Sequence, residues 1–248
     1  RSSRATPLRA GQGALLATDR DRPEIRPLLP APDLAAMPTD HARVKVVLPF
    51  AAQPGAVRYR TQIASDAAFA AIVAEAVSER PEAKFATLAD GEYWVRVRGI
   101  DDRGLEGYDA QRTFRLKARP EPPFTTAPPN GGKAMGSAVR FAWTASDGVA
   151  SYRFQLARDA GFQERLVDAD DIRDVAFEPD LRLEPGAYYW RVAATRADGD
   201  RGPLGDAQRF TLKPATQAEP PQLAGNQIAF AWSGEAGQTF EFELAEDD

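Results

Sequence analysis

Cysteine is absent from this chain of 248 residues. That excludes disulfides, thiol nucleophiles and thiolate-bound metals, while leaving the compartment open. Histidine occurs once, as His41, and no serine stands in a Gly-x-Ser-x-Gly setting. Acid–base and nucleophilic catalysis need organised partners, so His41 reads as a surface or junction residue, with no catalytic or metal role and no cofactor motif. No apolar run approaches the roughly 20 residues of a membrane-spanning helix. Lys and Arg total 31 against 36 Asp and Glu, giving a net charge of −5, and they form no basic block. Nucleic acid is therefore not an expected partner. The first residue is Arg1 and no signal peptide is visible, which is the pattern of a piece of a longer precursor.

What the chain does have is a repeat. Leu183-Glu184-Pro185-Gly186-Ala187-Tyr188-Tyr189-Trp190-Arg191-Val192 is a turn feeding an aromatic, β-branched strand. The same phrase stands earlier as Leu88-Ala89-Asp90-Gly91-Glu92-Tyr93-Trp94-Val95-Arg96-Val97. Arg58-Tyr59-Arg60-Thr61-Gln62-Ile63-Ala64 through Phe69 matches Ser151-Tyr152-Arg153-Phe154-Gln155-Leu156-Ala157 through Phe162, a shift of 93. Asp109-Ala110-Gln111-Arg112 returns as Asp206-Ala207-Gln208-Arg209, and Glu121-Pro122-Pro123 as Glu219-Pro220-Pro221. A third copy begins: Gln227 to Trp232 echoes Ala138 to Trp143, and Phe240 to Ala245 echoes Tyr152 to Ala157.

The repeat divides the chain into four. Residues 1–40 read as the last strand of an upstream domain and a connector stiffened by Pro23, Pro27, Pro30, Pro32 and Pro38. Residues 41–118 and 119–214 are two full domains, and 215–248 a partial third, with short Pro-stiff joints between them. In the first domain strands are expected over Val44–Leu48, Tyr59–Ala64, from Tyr93, and over Thr113–Lys117. Ala67–Val77 is open between helix and strand, and a short helical turn followed by a strand is favoured. In the second domain strands are expected near 138–144, 151–158, 165–169, 174–178, 187–195 and 207–213. Short strands, frequent turns and no helical periodicity argue tandem antiparallel β-sandwiches, all-β, with a truncated third repeat. The expected core is Val46, Leu48, Tyr59, Ile63, Phe69, Tyr93, Val95, Val97 and Phe114. Its second-domain counterpart is Phe141, Trp143, Tyr152, Phe154, Leu156, Phe162, Tyr188, Trp190, Val192, Phe210 and Leu212.

These residues resemble the fibronectin type III family. Trp143 and Trp232 sit where that family places its core tryptophan, with Phe50 in the first copy, and Leu183-x-Pro-Gly with Tyr188 resembles its tyrosine corner. Tyr-Tyr-Trp-Arg-Val with Phe-x-x-x-Leu-Val and the Glu-Pro-Pro joints also resembles the tandem sandwich region of bacterial FecR-domain envelope proteins, some of which carry a LysM module, and Leu8-Arg9-Ala10-Gly11-Gln12-Gly13 is similar to the end of a FecR domain. That resemblance implies a periplasmic or otherwise extracytoplasmic piece, a non-enzymatic spacer that binds a protein. The alternatives are a glycan- or peptidoglycan-binding module, or the accessory domain of an enzyme whose catalytic part lies elsewhere.

Two surface groups remain. Asp168-Ala169-Asp170-Asp171 with Asp174 offers calcium-type oxygens, but the first copy has Glu75, Glu79 and Glu82 there without the spacing, and the group reads as a solvated acidic loop. The outward row Trp94, Arg96 and Arg98, with Tyr189 and Arg191 in the second copy, places an aromatic beside guanidinium groups. Such a row stacks on a sugar or holds a carboxylate. Its repetition in both copies favours the other reading, cross-strand packing in which arginine stems cover the aromatic rings. Lastly, Phe230, Trp232, Phe240, Phe242 and Leu244 pattern two strands whose partners the chain lacks, so residues 219–248 are expected to pair with another domain or to form a homodimer.

Overall fold

The computed structural model describes residues 7–16, 22–215, 217–225 and 227–233. The chain falls into two compact units, Arg1–Glu121 and Pro122–Asp248. Among the described residues there are strands and turns and no helix.

The first unit begins with an antiparallel pair, β1 (Gln12–Leu15) and β2 (Glu24–Pro27). Then follow β3 (Asp40–His41), β4 (Val46–Pro49), β5 (Arg58–Ala64), β6 (Ile72–Ser78), β7 (Glu82–Phe85), β8 (Gly91–Ile100) and β9 (Ala110–Leu116). A five-stranded sheet in the order β3-β9-β8-β5-β6 packs against the pair β4-β7. Every second residue of these strands is apolar, so one face of each sheet closes on the other. Val46 and Leu48, Tyr59 and Ile63, Ala83 and Phe85, Tyr93, Val95 and Val97, and Phe114 and Leu116 form that buried core.

The second unit repeats the plan with β10 (Thr125–Ala127), β11 (Gly132–Met135), β12 (Phe141–Trp143), β13 (Val149–Ala157), β14 (Arg165–Ile172), β15 (Ala176–Phe177), β16 (Gly186–Arg196) and β17 (Gln208–Lys213). Its five-stranded sheet runs β11-β17-β16-β13-β14 against β10-β12-β15. Phe141, Trp143, Phe154, Tyr188, Trp190 and Phe210 fill the space between. Beyond them β18 (Gln217–Ala218) pairs with β21 (Trp232–Ser233), and β19 (Gln222–Ala224) with β20 (Gln227–Ala229). The expected strand through Phe240, Phe242 and Leu244 lies outside the described residues.

Both corners have the same bond. The Tyr93 hydroxyl donates to the Ala89 carbonyl at 2.9 Å, and that of Tyr188 to the Glu184 carbonyl at 2.7 Å. A buried phenol needs such a partner, and each bond closes the turn that launches β8 or β16.

Two expectations are corrected here. The sheets are not wholly antiparallel: β3 runs parallel to β9, and β11 to β17. Residues 28–40 are not a connector. Leu34 and Met37 are buried in the first core, Met37 with 1% of its surface exposed. The Leu34 carbonyl accepts from the Arg112 guanidinium at 2.6 Å, the Thr39 carbonyl from the Arg115 amide at 2.7 Å, and the Leu29 carbonyl from the Tyr108 amide at 2.9 Å. Prolines keep this strip out of a ladder, yet its apolar side chains and free carbonyls still find places on the sandwich. Strand β1 with β2 rests on the 101–107 turn, where Arg26 pairs with Asp102 at 2.8 Å and a side chain at Gly13 would strike Leu105.

Candidate functional site

The outer face of each five-stranded sheet holds a repeated side-chain network. Alternation in Tyr59-Arg60-Thr61-Gln62 sends tyrosine and threonine inward and arginine and glutamine outward, and Tyr152-Arg153-Phe154-Gln155 does the same. Pairing then sets Gln62 between Arg96 on β8 and Glu75 on β6, and Gln155 between Arg191 on β16 and Asp168 on β14. Arg96 Nε donates to Gln62 Oε1 at 2.6 Å, and Arg191 Nε to Gln155 Oε1 at 2.8 Å. The glutamine amides pass the chain on, Gln62 to Glu75 and Gln155 to Asp168. Both glutamines are buried.

Beside each network the chain makes the same turn. The Asp66 carboxylate accepts from the amides of Ala68, Ala70 and Ala71, and that of Asp159 from Gly161, Gln163 and Glu164. The Ala71 and Glu164 amides lead in holding these two carboxyls below the usual aspartate range. The turn puts Phe69 at φ 55° and Phe162 at φ 56°, left-handed conformations unusual for a bulky residue. Each phenyl ring is thereby folded back under an arginine: the Arg96 guanidinium carbon lies 4.5 Å from the Phe69 centroid, and that of Arg191 lies 3.8 Å from Phe162.

This revises two readings. Phe69 and Phe162 are buried as expected, but outside the two inter-sheet clusters, beneath guanidinium groups on the opposite face. Arginines do cover aromatic rings, though not the predicted ones. Among the described residues no guanidinium lies over Trp94 or Tyr189, both of them half-buried. Ala67–Val77 also resolves, as a turn followed by strand β6 rather than a helical turn. Asp66 takes the amides at 68, 70 and 71, and that overrides alanine's helix preference.

Around these plugs the two faces differ. In the first sandwich Arg98 donates to Asp109 at 2.6 and 3.1 Å and to Glu106 at 2.8 Å. Arg60 donates to Glu106 at 2.7 Å and also pairs with Glu75. Desolvation pushes the Glu106 carboxyl up, but the hydrogen bonds from Arg60 and Arg98 outweigh it and the pKa falls below the usual glutamate range. Trp94, flanked by Ala64 and Thr113 on the neighbouring strands, forms one wall of a cleft of about 380 Å³. Glu92, Thr113, Arg115, Thr39 and Asp40 line the rest.

In the second sandwich Tyr189 is flanked by Ala157 and Arg209. Asp168, inside the strand expected near 165–169 although the acidic run was also read as a solvated loop, is on β14 and accepts from Arg153 at 2.8 Å twice, from Gln155 at 2.9 Å and from Arg165 at 3.5 Å. Asp170, on the same strand, pairs with Arg201 at 2.8 Å. The acidic run is a strand because cross-strand arginines neutralise it. Sequence reasoning missed Gln62, Gln155, Asp66 and Asp159, although all four recur at the shift of 93. It also missed Arg165, which stands where the first copy has Ile72, and Arg209, which faces Tyr189 across the ladder where Thr113 faces Trp94.

Strand order, the two-sheet core and the tyrosine corners define both units as fibronectin type III-like β-sandwiches. No protein-family model matches the chain, and no curated protein matches it. Solved structures similar to it include the fibronectin(III)-like modules of Clostridium thermocellum CbhA, with 17% identity, a TM-score of 0.29, and 71% of this chain and 88% of that one covered. The FN1–FN3 domains of chicken CNTN1 align at 14% identity and TM-score 0.34, over 82% and 77% of the respective chains. A two-domain fibronectin type III segment of chicken tenascin aligns at 14% and 0.30, over 74% and 99%.

Proposed function

We propose that this chain is a non-enzymatic, extracytoplasmic interaction module that spaces and presents a FecR-like domain upstream of it in the periplasm, and that it binds a protein through the outer faces of its five-stranded sheets. One observation carries the reading. Each outer face is fastened at its centre by a plug of buried phenylalanine and glutamine under a half-buried arginine, while a half-exposed aromatic, Trp94 or Tyr189, stands beside it with arginines within reach. Aromatic and arginine side chains are what protein interfaces favour at their centres. The Pro-rich joints suit the spacing role.

The cleft beside Trp94 favours a second reading, glycan recognition, because a ring on one wall and carboxylate and hydroxyl groups on the others suit a sugar. A photo-crosslinking residue placed at Trp94 in the protein of intact cells separates the two. A discrete protein adduct is the expected result. Adducts that disappear on digestion of cell-wall glycan turn the reading to the alternative, and no adduct at Trp94 or Tyr189 overturns both.

The third repeat supplies a separate contact in this proposal. Leu223 and Ile228 are 79% and 57% exposed, and burying a large apolar side chain is worth roughly 1.5–3 kcal/mol. A homodimer through residues 219–248 is the arrangement we propose for covering them. Sedimentation should show a dimer that becomes a monomer when 219–248 is removed, with both sandwiches still folded. A monomeric full chain at high concentration would count against it.

A further inference from the structure

We propose that the outer face of the second sandwich, centred on Arg191, is a docking site for an extended acidic peptide, and that the first sandwich lacks it. This deepens the interaction-module reading by naming the face and the chemistry of the partner.

The two sandwiches are each other's control. They share the plug, but the charges around it are balanced in one and not in the other. In the first, Arg60 and Arg98 are met by Glu75, Glu106 and Asp109. In the second, the single carboxylate of Asp168 serves Arg153, Arg165 and Gln155 together. Asp170 is engaged by Arg201, with Arg153 at 4.0 Å. Arg191, like Arg96 in the first sandwich, is left with a glutamine oxygen and a phenyl face and no described carboxylate within ion-pair distance; what differs is the arginines around it. Burial first, and then repulsion from Arg165 and Arg153, lower its pKa. A guanidinium that is partly desolvated and short of a counter-ion gains most from a carboxylate brought to its free edge. Stacking on Phe162 holds the planar fork in place for that contact.

The positions around Arg191 extend the site across the sheet. Register sets Arg209, Tyr189, Ala157 and Arg165 side by side on β17, β16, β13 and β14. The first-sandwich residues in that row are Thr113, Trp94, Ala64 and Ile72, none of them charged. Arg209 and Arg165 are therefore three strand spacings apart, about 14 Å, which one small anion cannot bridge. Alternate residues of an extended peptide stand about 7 Å apart on one side, so acidic residues at i, i+2 and i+4 match the width of the row. The Tyr189 hydroxyl adds a neutral donor between the charges.

The test uses the full chain and a fluorescent ten-residue peptide, (Glu-Ser)5, read by anisotropy at low salt, with (Gln-Ser)5 as the neutral control. Saturable binding of the acidic peptide alone is expected, weakening as salt rises. Arg191→Gln should weaken it about tenfold, the scale of one charge-assisted bond, while Arg96→Gln, the same change in the first sandwich, leaves it unaltered. Thermal unfolding checks that Arg191→Gln still folds. If it does not, the exposed pair Arg165→Ser and Arg209→Ser takes its place with the same expected loss. Absence of binding, or equal losses in Arg191→Gln and Arg96→Gln, overturns the proposal. Displacement of the peptide by an equal concentration of inorganic phosphate also overturns it, since that marks a small-anion site. The peptide needs no cellular partner, so failure here is distinct from failure of the crosslinking experiment.

Discussion

Phe154→Ala is expected to destabilise the second sandwich by about 3–5 kcal/mol, the range for truncating a buried phenylalanine. Phe154 is fully buried, with ring centroids of Phe141 at 4.8 Å, Phe177 at 5.1 Å, Trp190 at 6.1 Å and Trp143 at 6.3 Å. Removing the ring at the centre of this cluster takes edge and face contacts from four others at once. Close-packed neighbours cannot collapse far enough to refill the space. Urea unfolding of the full chain provides the measurement, with the transition of the first sandwich as an internal reference that should not move. A loss below about 1 kcal/mol would place this ring outside the centre of the core.

Met37→Ala carries the second large effect, about 2–5 kcal/mol on the first sandwich. The residue lies in a stretch whose prolines read as a connector, and substitutions in an exposed connector stay within about 0.5 kcal/mol. Met37 instead has 1% exposure within the first core, and the strip around it is tied to β9 through the Leu34 and Thr39 carbonyls. Unfolding should show the loss in the first transition alone. A shift within error would mean that the strip contributes little to the fold.

How far the sequence reaches follows from how local each cause is. Alternation along Tyr93-Val95-Val97 and Tyr188-Trp190-Val192 is a property of the strand itself, so both cores were legible, as were the tyrosine corners four residues long. Met37 was not, because its burial depends on β9, more than seventy residues later. Phe69 and Phe162 were legible as buried, but not by what. Their side of the sheet is decided by an aspartate that gathers turn amides and by an arginine two strands away. The predicted row of Trp94, Arg96, Arg98, Tyr189 and Arg191 does stand on the outer faces, but the row divides. Arg96 and Arg191 belong to the plugs, Arg98 is held by acids, and Trp94 and Tyr189 are free of stacking arginines among the described residues. The acidic run that follows the expected strand at 165–169 was read as loop because a run of aspartates has no strand preference of its own. Arg153 and Arg165 supply the reason it lies in one.

The plug has a consequence for how such a sandwich diverges after duplication. Its aspartate, phenylalanine, glutamine and arginine come from one turn and two strands, and losing any one strands the others: a buried amide without its partner, or a ring in a left-handed turn with no cover. The set stands whole in both copies, as Asp66-Phe69-Gln62-Arg96 and Asp159-Phe162-Gln155-Arg191. The neighbouring positions carry no such bond of mutual dependence. Trp94 and Thr113 in one copy stand where Tyr189 and Arg209 stand in the other, and Ile72 where Arg165 stands. A shared fastening ringed by positions that differ between the copies lets one sheet plan carry faces of different chemistry without renegotiating its fold.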